Sequence, residues 1–386
     1  MISKEYFEKM NDICIKFISF LDESGDAEEN YGNLITSFKN HTISKDQIEF
    51  KSFLHFVSKI ANNHYRTNKF LDKIMQIINF FSSEIKDFFS NSEIFQIFKS
   101  NKLILLFLFE SKILTLDYSI LKQIREGKYA NYNYHKYFAP EIKPINRSQK
   151  FDYNSINITA EYLKNRKIGE KEDYICKLIR EDLIEEFIVY VNKHNYLLDS
   201  KIKESIFETN LFLLKNPPTL IEYSAFFGSV QIFKYLLLNK ANYSKSIWTY
   251  AVHSNNPELI HYMMDEKICY HDNIFEDCIY ESIKCHHNDI ALYLIDNKIN
   301  ENDQIIKKNI ISCSYRYYNY VFLKTYNNKK STLVNACKNN HSKIVKDLLS
   351  YNIIELNSNQ IKECLHYAAS YNNIEILKLL FSSFTI

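Results

Sequence analysis

Glycine and proline are scarce in this chain, five of each in 386 residues. A nucleotide site needs a glycine-rich loop that wraps the phosphates, and a parallel sheet needs many tight turns. The shortage therefore argues for helices and against most catalytic folds of that kind. Long apolar runs are missing too: the most apolar stretch, Leu103 to Phe109, is far shorter than the ~20 residues that span a bilayer. Neither charge sign prevails, with 48 Lys and Arg against 46 Asp and Glu and a formal net charge of +2. Without a basic excess or a run of five like charges, no nucleic-acid partner is expected. The opening residues Met1 to Lys9 are charged and lack the apolar core of a secretion signal, so a cytoplasmic protein without a membrane span is expected. In that reducing setting the eight scattered cysteines read as small hydrophobes rather than disulfide partners.

What is present suffices for a core: 46% of residues are hydrophobic and 24% charged, close to the globular average. One phrase recurs. A small residue is followed four positions on by Gly or Asn, or by His in one unit, and then by two spaced apolar pairs. The small anchors fall at Ser224, Ala251, Ser282, Ala336 and Ala368. The interval from Ser282 to Ala336 is twice that from Ser224 to Ala251, and Ile311, Ser314-Tyr315, Tyr318-Asn319 and Phe322-Leu323 supply a degenerate unit inside it. The residue types have physical reasons. A small residue lets two helices approach, Gly or Asn admits the left-handed conformation that ends a helix, and spaced apolar pairs make the inner stripe of a second helix. One helix pair cannot bury its stripe alone, so neighbours must stack.

Cys364-Leu365-His366-Tyr367-Ala368-Ala369, then Asn372-Asn373, Ile376-Leu377 and Leu380-Phe381, resembles the ankyrin repeat, as do the units before it. The departures are regular. The consensus Pro is replaced by Leu220, Ile247, Cys278, Thr332 and Cys364, its His survives only at His366, and Asn255, Asn340 and Asn372 stand in for the turn Gly kept at Gly228. The runs Glu170 to Arg180, Ser205 to Asn210 and Leu220 to Leu237 further resemble a large uncharacterised ankyrin-repeat family of parasitic protists. The fold class expected is all-α, an ankyrin solenoid of about six or seven degenerate helix-turn-helix units over residues 171–386. A helical N-terminal domain over 1–125 and a Tyr- and Pro-containing linker over 126–170 precede it. Apolar residues recur at helical steps through Phe7, Met10, Ile13, Phe17 and Leu21, whereas no apolar period crosses Gly127 to Lys150.

The resemblance implies a non-enzymatic scaffold that binds a protein partner through its concave face, with no cofactor. In such a unit the residue before the small pair and the two after it face the groove. This singles out Tyr223, Phe226, Phe227, Tyr250, His253, Arg316, Tyr317, Lys338, Tyr367 and Tyr371, with Glu281, Lys284 and Cys285 at the same positions of the third unit. Tyr and Arg are the types enriched at binding hot spots. Alternatively, Phe226 and Phe227 lie under the linker or the Asn210–Thr219 loop. Cys269-Tyr270-His271, Cys278 and Cys285-His286-His287 carry metal-ligand types without paired zinc spacing, so no metal is expected there. An enzyme or zinc protein built on that cluster or on the N-terminal region remains the rival reading. The dense Phe and Ile of the N-terminal helices also suit self-association.

Overall fold

The computed structural model describes residues 4–22, 27–67, 69–126, 132–145, 156–268, 274–298, 303–323, 329–350 and 357–383. Among them every regular element is a helix; the only extended pairing is an isolated antiparallel bridge between Lys201 and Thr219. The fold is all-α and repetitive, as the periodicity predicted.

The recurring unit is a helix pair. Tyr174–Arg180 pairs with Ile184–Lys193, Leu220–Phe227 with Val230–Leu238, and Ile247–His253 with Pro257–Asp265. Lys329–Lys338 pairs with Ser342–Ser350 and Ser358–Ser370 with Ile374–Ser383. The degenerate unit keeps its first helix, Gln304–Tyr317, while a short 3-10 turn, Tyr320–Leu323, follows where a second helix would start. First helices stack on first helices, which buries the small anchors Ser224, Ala251, Ser282, Ser314, Ala336 and Ala368.

The turn inside each pair shows why Asn can replace Gly. Gly228 has φ +70°, and Asn255, His286, Tyr318, Asn340 and Asn372 have φ of 50°, 60°, 60°, 63° and 56°. Each stands four residues after its anchor, and its left-handed conformation turns the chain so that the next N–H caps the helix. Ser229, His287, Asn319, His341 and Asn373 donate to the carbonyls of Ser224, Ser282, Ser314, Ala336 and Ala368 at 2.8–3.0 Å. Gly228 is required for a second reason: a Cβ there would lie 3.1 Å from Ser254 Cβ in the next unit.

After several of these turns the next residue also ties neighbouring units together. His287 Nδ1 donates to Val252 O at 2.8 Å, His341 Nε2 to Tyr315 O at 2.7 Å, and Asn373 Nδ2 to Cys337 O at 2.8 Å. Ser229 Oγ does the same to Ile179 O. Each bond contributes about 1 kcal/mol net, and losing one leaves a buried carbonyl unpaired at greater cost.

By compactness the chain divides into two units that cut across the sequence order. One comprises residues 1–60, 66–77 and 291–386; the other comprises 61–65 and 78–290. In the first, the helices Lys4–Leu21 and Gln47–Asn63 contribute residues that lie along the repeat turns. Tyr6 and Phe7 meet the Tyr320 ring at 6.3 and 6.2 Å, His55 stacks on Tyr318 at 5.7 Å, and Lys343 pairs with Glu49 at 3.4 Å. The apolar stripe Met10, Ile13, Phe17 and Leu21 is buried in this unit. It is therefore already covered.

In the second unit, the stretch expected to be a linker is folded where it is described. Tyr134–Tyr137 and Ala139–Ile142 are short helices, with Pro140 in the first turn of the latter, where its missing N–H costs nothing. Tyr134, Tyr137, Phe138 and Ile142 are buried. Tyr137 donates to Arg166 O at 2.8 Å, and Arg166 pairs with Glu141 at 2.7 Å. Aromatic rings supply the apolar area here, and four-residue helices are too short to show a period.

Candidate functional site

The expected groove residues separate into two groups. Tyr223, Phe226, Tyr250 and His253 are buried, and Phe227 is half-buried. Phe226, Tyr250 and His253 are covered by Phe212, carried by the short helix Leu211–Lys215, which Asn210 caps by accepting from Phe212 N at 2.9 Å. The Phe212 ring stacks on Phe226 at 5.9 Å and meets Tyr250 at 4.9 Å and His253 at 4.2 Å. Tyr250 closes the arrangement by donating to Asn216 O at 3.0 Å, and Tyr223 accepts from Arg180 Nη1 at 2.9 Å. Burial pushes both phenols above their ordinary pKa. For Phe226 the Asn210–Thr219 segment is thus the cover, the second of the two expectations. As they stand, these four side chains offer no surface to a partner.

The second group is open. Arg316 is exposed, Tyr317, Lys338 and Tyr367 are half-buried, and Tyr371 keeps 55% of its surface. Cations and rings alternate along it. Arg316 lies 5.6 Å over the Tyr317 ring, Lys338 lies 5.2 Å over Tyr367, and Tyr367 and Tyr371 are 6.4 Å apart. Lys59 approaches Tyr317 at 5.9 Å from its other neighbour. Lys338 and Tyr367 meet because they belong to consecutive first helices in the register the anchors define.

Of the metal-type residues, Cys269, Tyr270 and His271 lie outside the described residues. Cys278 is buried, His286 occupies a turn, and His287 bonds Val252 O. The described residues do hold a different grouping, His253, Glu281 and Cys285, whose ligand-type atoms all lie within 4.8 Å of one another. His253 Nε2 is 2.6 Å from Glu281 Oε1, and Cys285 Sγ is 3.3 Å from His253 Nδ1. Burial works against the Glu281 charge, yet the His253 hydrogen bond and the Lys284 ammonium hold its carboxyl at about 2. Burial also lowers the His253 imidazole, despite Glu281. Spacing along the chain could not reveal this trio, because the units that carry it had to stack first.

A cleft of about 600 Å³ in the other unit is lined by Phe20, Glu28, Tyr31, Lys69, Asp72, Lys73 and Gln76. Its charges balance, and Lys73 already donates to Phe20 O at 2.8 Å, so it selects no ion of either sign.

A family profile described as ankyrin repeats matches residues 308–386 in three copies. Arg316, Tyr317, Lys338, Tyr367 and Tyr371 lie inside that span, whereas Tyr223, Phe226, Tyr250 and His253 precede it. No curated protein matches this chain. Ankyrin repeats generally mediate protein–protein interaction. No described helix is long and apolar enough to cross a membrane.

Proposed function

We propose that this protein is a non-enzymatic scaffold whose repeats bind a protein partner through the open face bearing Arg316, Tyr317, Lys338, Tyr367 and Tyr371. The observation that carries the reading is the alternation of cations and partly exposed rings on successive first helices. Such a row gives flat, rigid contact area at low entropic cost, with Arg and Lys placed for carboxylates of the partner. The extent of the array from near residue 171, the cytoplasmic setting and the narrower likeness to the protist family belong to the same proposal. They are supported by the repeat anchors, by the absence of an apolar span and by the run Glu170 to Arg180 respectively.

The test is a pull-down with the full chain, partners identified by mass spectrometry, followed by binding measurements on one purified partner. Arg316→Ala, Tyr367→Ala and Tyr371→Ala combined should weaken binding by at least ~100-fold, since hot-spot truncations each cost about 1–2 kcal/mol, while helical circular dichroism stays unchanged. Equal binding by this triple variant sinks the open-face reading.

A further inference from the structure

We propose that Lys59, Arg316 and Tyr317 form a clamp for a phosphorylated side chain of the partner protein, and that the Lys338 ammonium receives an acidic residue beside it. The proposal rests on the open-face reading and names the chemistry of what that face takes. Charge distribution is its first support. The adjoining first helices Gln304–Tyr317 and Lys329–Lys338 together carry six Lys or Arg and no Asp or Glu. In a chain whose charges nearly cancel, such segregation selects an anion.

Geometry locates the clamp. The Arg316 guanidinium and the Lys59 ammonium lie 5.6 and 5.9 Å from the centre of one ring, that of Tyr317. Like charges gathered on one ring repel, and an anion set against them relieves the repulsion. A carboxylate neutralises one cation. A phosphate monoester, close to doubly charged at pH 7, matches both and offers oxygens to each donor. Arg316 is exposed and Lys59 half-buried, so both are reached from solvent. Glu49, the one carboxylate of the helix Gln47–Asn63, stands near its other end and pairs with Lys9 at 2.5 Å and Lys343 at 3.4 Å. Lys338 lies over Tyr367 on the far side of the clamp's helix, one repeat along. Packed helices are about 8–10 Å apart, and an extended peptide advances about 3.3 Å per residue. The acidic residue therefore belongs three positions from the phosphorylated one.

Burial and the Arg316 charge together lower the Lys59 ammonium to about 8. A bound phosphate holds the proton on, so affinity falls as pH rises through that value. His55, one turn before Lys59 on its helix, and His341 are held by burial at about 3 and about 4, and burial pushes the Tyr318 phenol up. None of these three changes charge between pH 7 and 9. Cys313 and Tyr317, on the helix of Arg316, carry further titratable groups that Lys59→Arg leaves in place.

Two glycine-based octapeptides are titrated into the full-length protein by calorimetry at pH 7 and 9, with phosphoserine three places before a Glu in one and three after it in the other. One of them should bind once per chain at pH 7, at least ~10-fold tighter than its unphosphorylated parent, and about tenfold more weakly at pH 9. Lys59→Met should cost at least ~10-fold at pH 7. Lys59→Arg should bind alike at both pH values, since guanidinium keeps its charge throughout. Lys338→Met should cancel the advantage of Glu over Gln in the peptide. Binding no tighter than that of the unphosphorylated parents, unchanged affinity in Lys59→Met, a pH effect that survives Lys59→Arg, or tighter binding of a uridine dodecamer overturns the proposal. Failure of the peptides alongside loss of the partner by the triple variant ends the phosphate assignment and leaves the open face standing.

Discussion

The first helices before Ile290 and those after Gln304 follow the same repeat positions yet differ in how far those positions are exposed. In the earlier set, Phe226, Tyr250 and His253 are closed beneath Phe212, and Tyr223 is buried against Arg180 and Phe227. In the later set, Arg316, Tyr317, Lys338, Tyr367 and Tyr371 keep contact with water. The chemistry of the side chains decides whether a cover pays. A buried aromatic removes 150–250 Å² from water at about 25 cal/mol per Å², several kcal/mol per ring. That suffices to hold down a short helix such as Leu211–Lys215. Arg316 and Lys338 would instead have to shed hydration, which repels an apolar cover and suits a charged partner.

The largest expected blow to this contrast falls on the open side and comes from acid. His341, buried between Tyr315 and Tyr318, is held down to about 4, chiefly by burial and further by Lys59, while its bond to Tyr315 O opposes. Between pH 6.5 and 4 the unfolded chain binds a proton that the folded chain refuses, so stability falls as pH falls and levels off below 4. The single site accounts for roughly 3 kcal/mol across that window. Urea titrations at pH 7 and 4.5 should show the loss, and His341→Gln, which can still donate to the carbonyl, should reduce the difference between them.

A smaller effect tests the cover directly. Phe212→Ala should cost about 2 kcal/mol, less than a fully buried Phe because Phe212 is half-exposed. It should also convert the closed face into an open one. Faster chymotryptic cleavage after Phe226 or Tyr250, with the spectrum of a folded protein retained, is the expected readout; protection equal to the parent's would show that Phe212 is not the cover. The smallest effect sharpens the comparison at the turns. Asn372→Gly should raise stability by about half a kcal/mol, because Gly meets the φ of 56° without a Cβ. A thermal melt that drops instead would mean that the Asn side chain braces its turn.

Much of the repeat is legible in the amino-acid order. The anchors mark where first helices touch, and Asn255, Asn340 and Asn372 adopt the left-handed conformation that their type favours. His286 and Tyr318 adopt it as well, at 60° each, which their type does not favour. Register alone reveals them, four residues past Ser282 and Ser314. The folded stretch around Tyr134–Ile142 was not legible, since its burial comes from rings without period. Nor was Phe212: the segment Asn210–Thr219 was one of two covers the residues allowed, and only packing distinguishes a loop that lies on a face from one that leaves it. The trio His253, Glu281 and Cys285 was hidden for a related reason, because side chains drawn from two units have no fixed spacing in a degenerate array.

By itself, then, the amino-acid order determined the all-helical unit, its anchor and its turn. Those are set within about one repeat length, by helix geometry and by the conformations each residue tolerates. The three-dimensional arrangement alone decided which of these positions stay wet, which side chains from adjoining units converge, and that residues 1–60 and 66–77 share a unit with 291–386. Such outcomes depend on apolar area contributed by distant segments, and burial of that area has no direction that a local pattern could record.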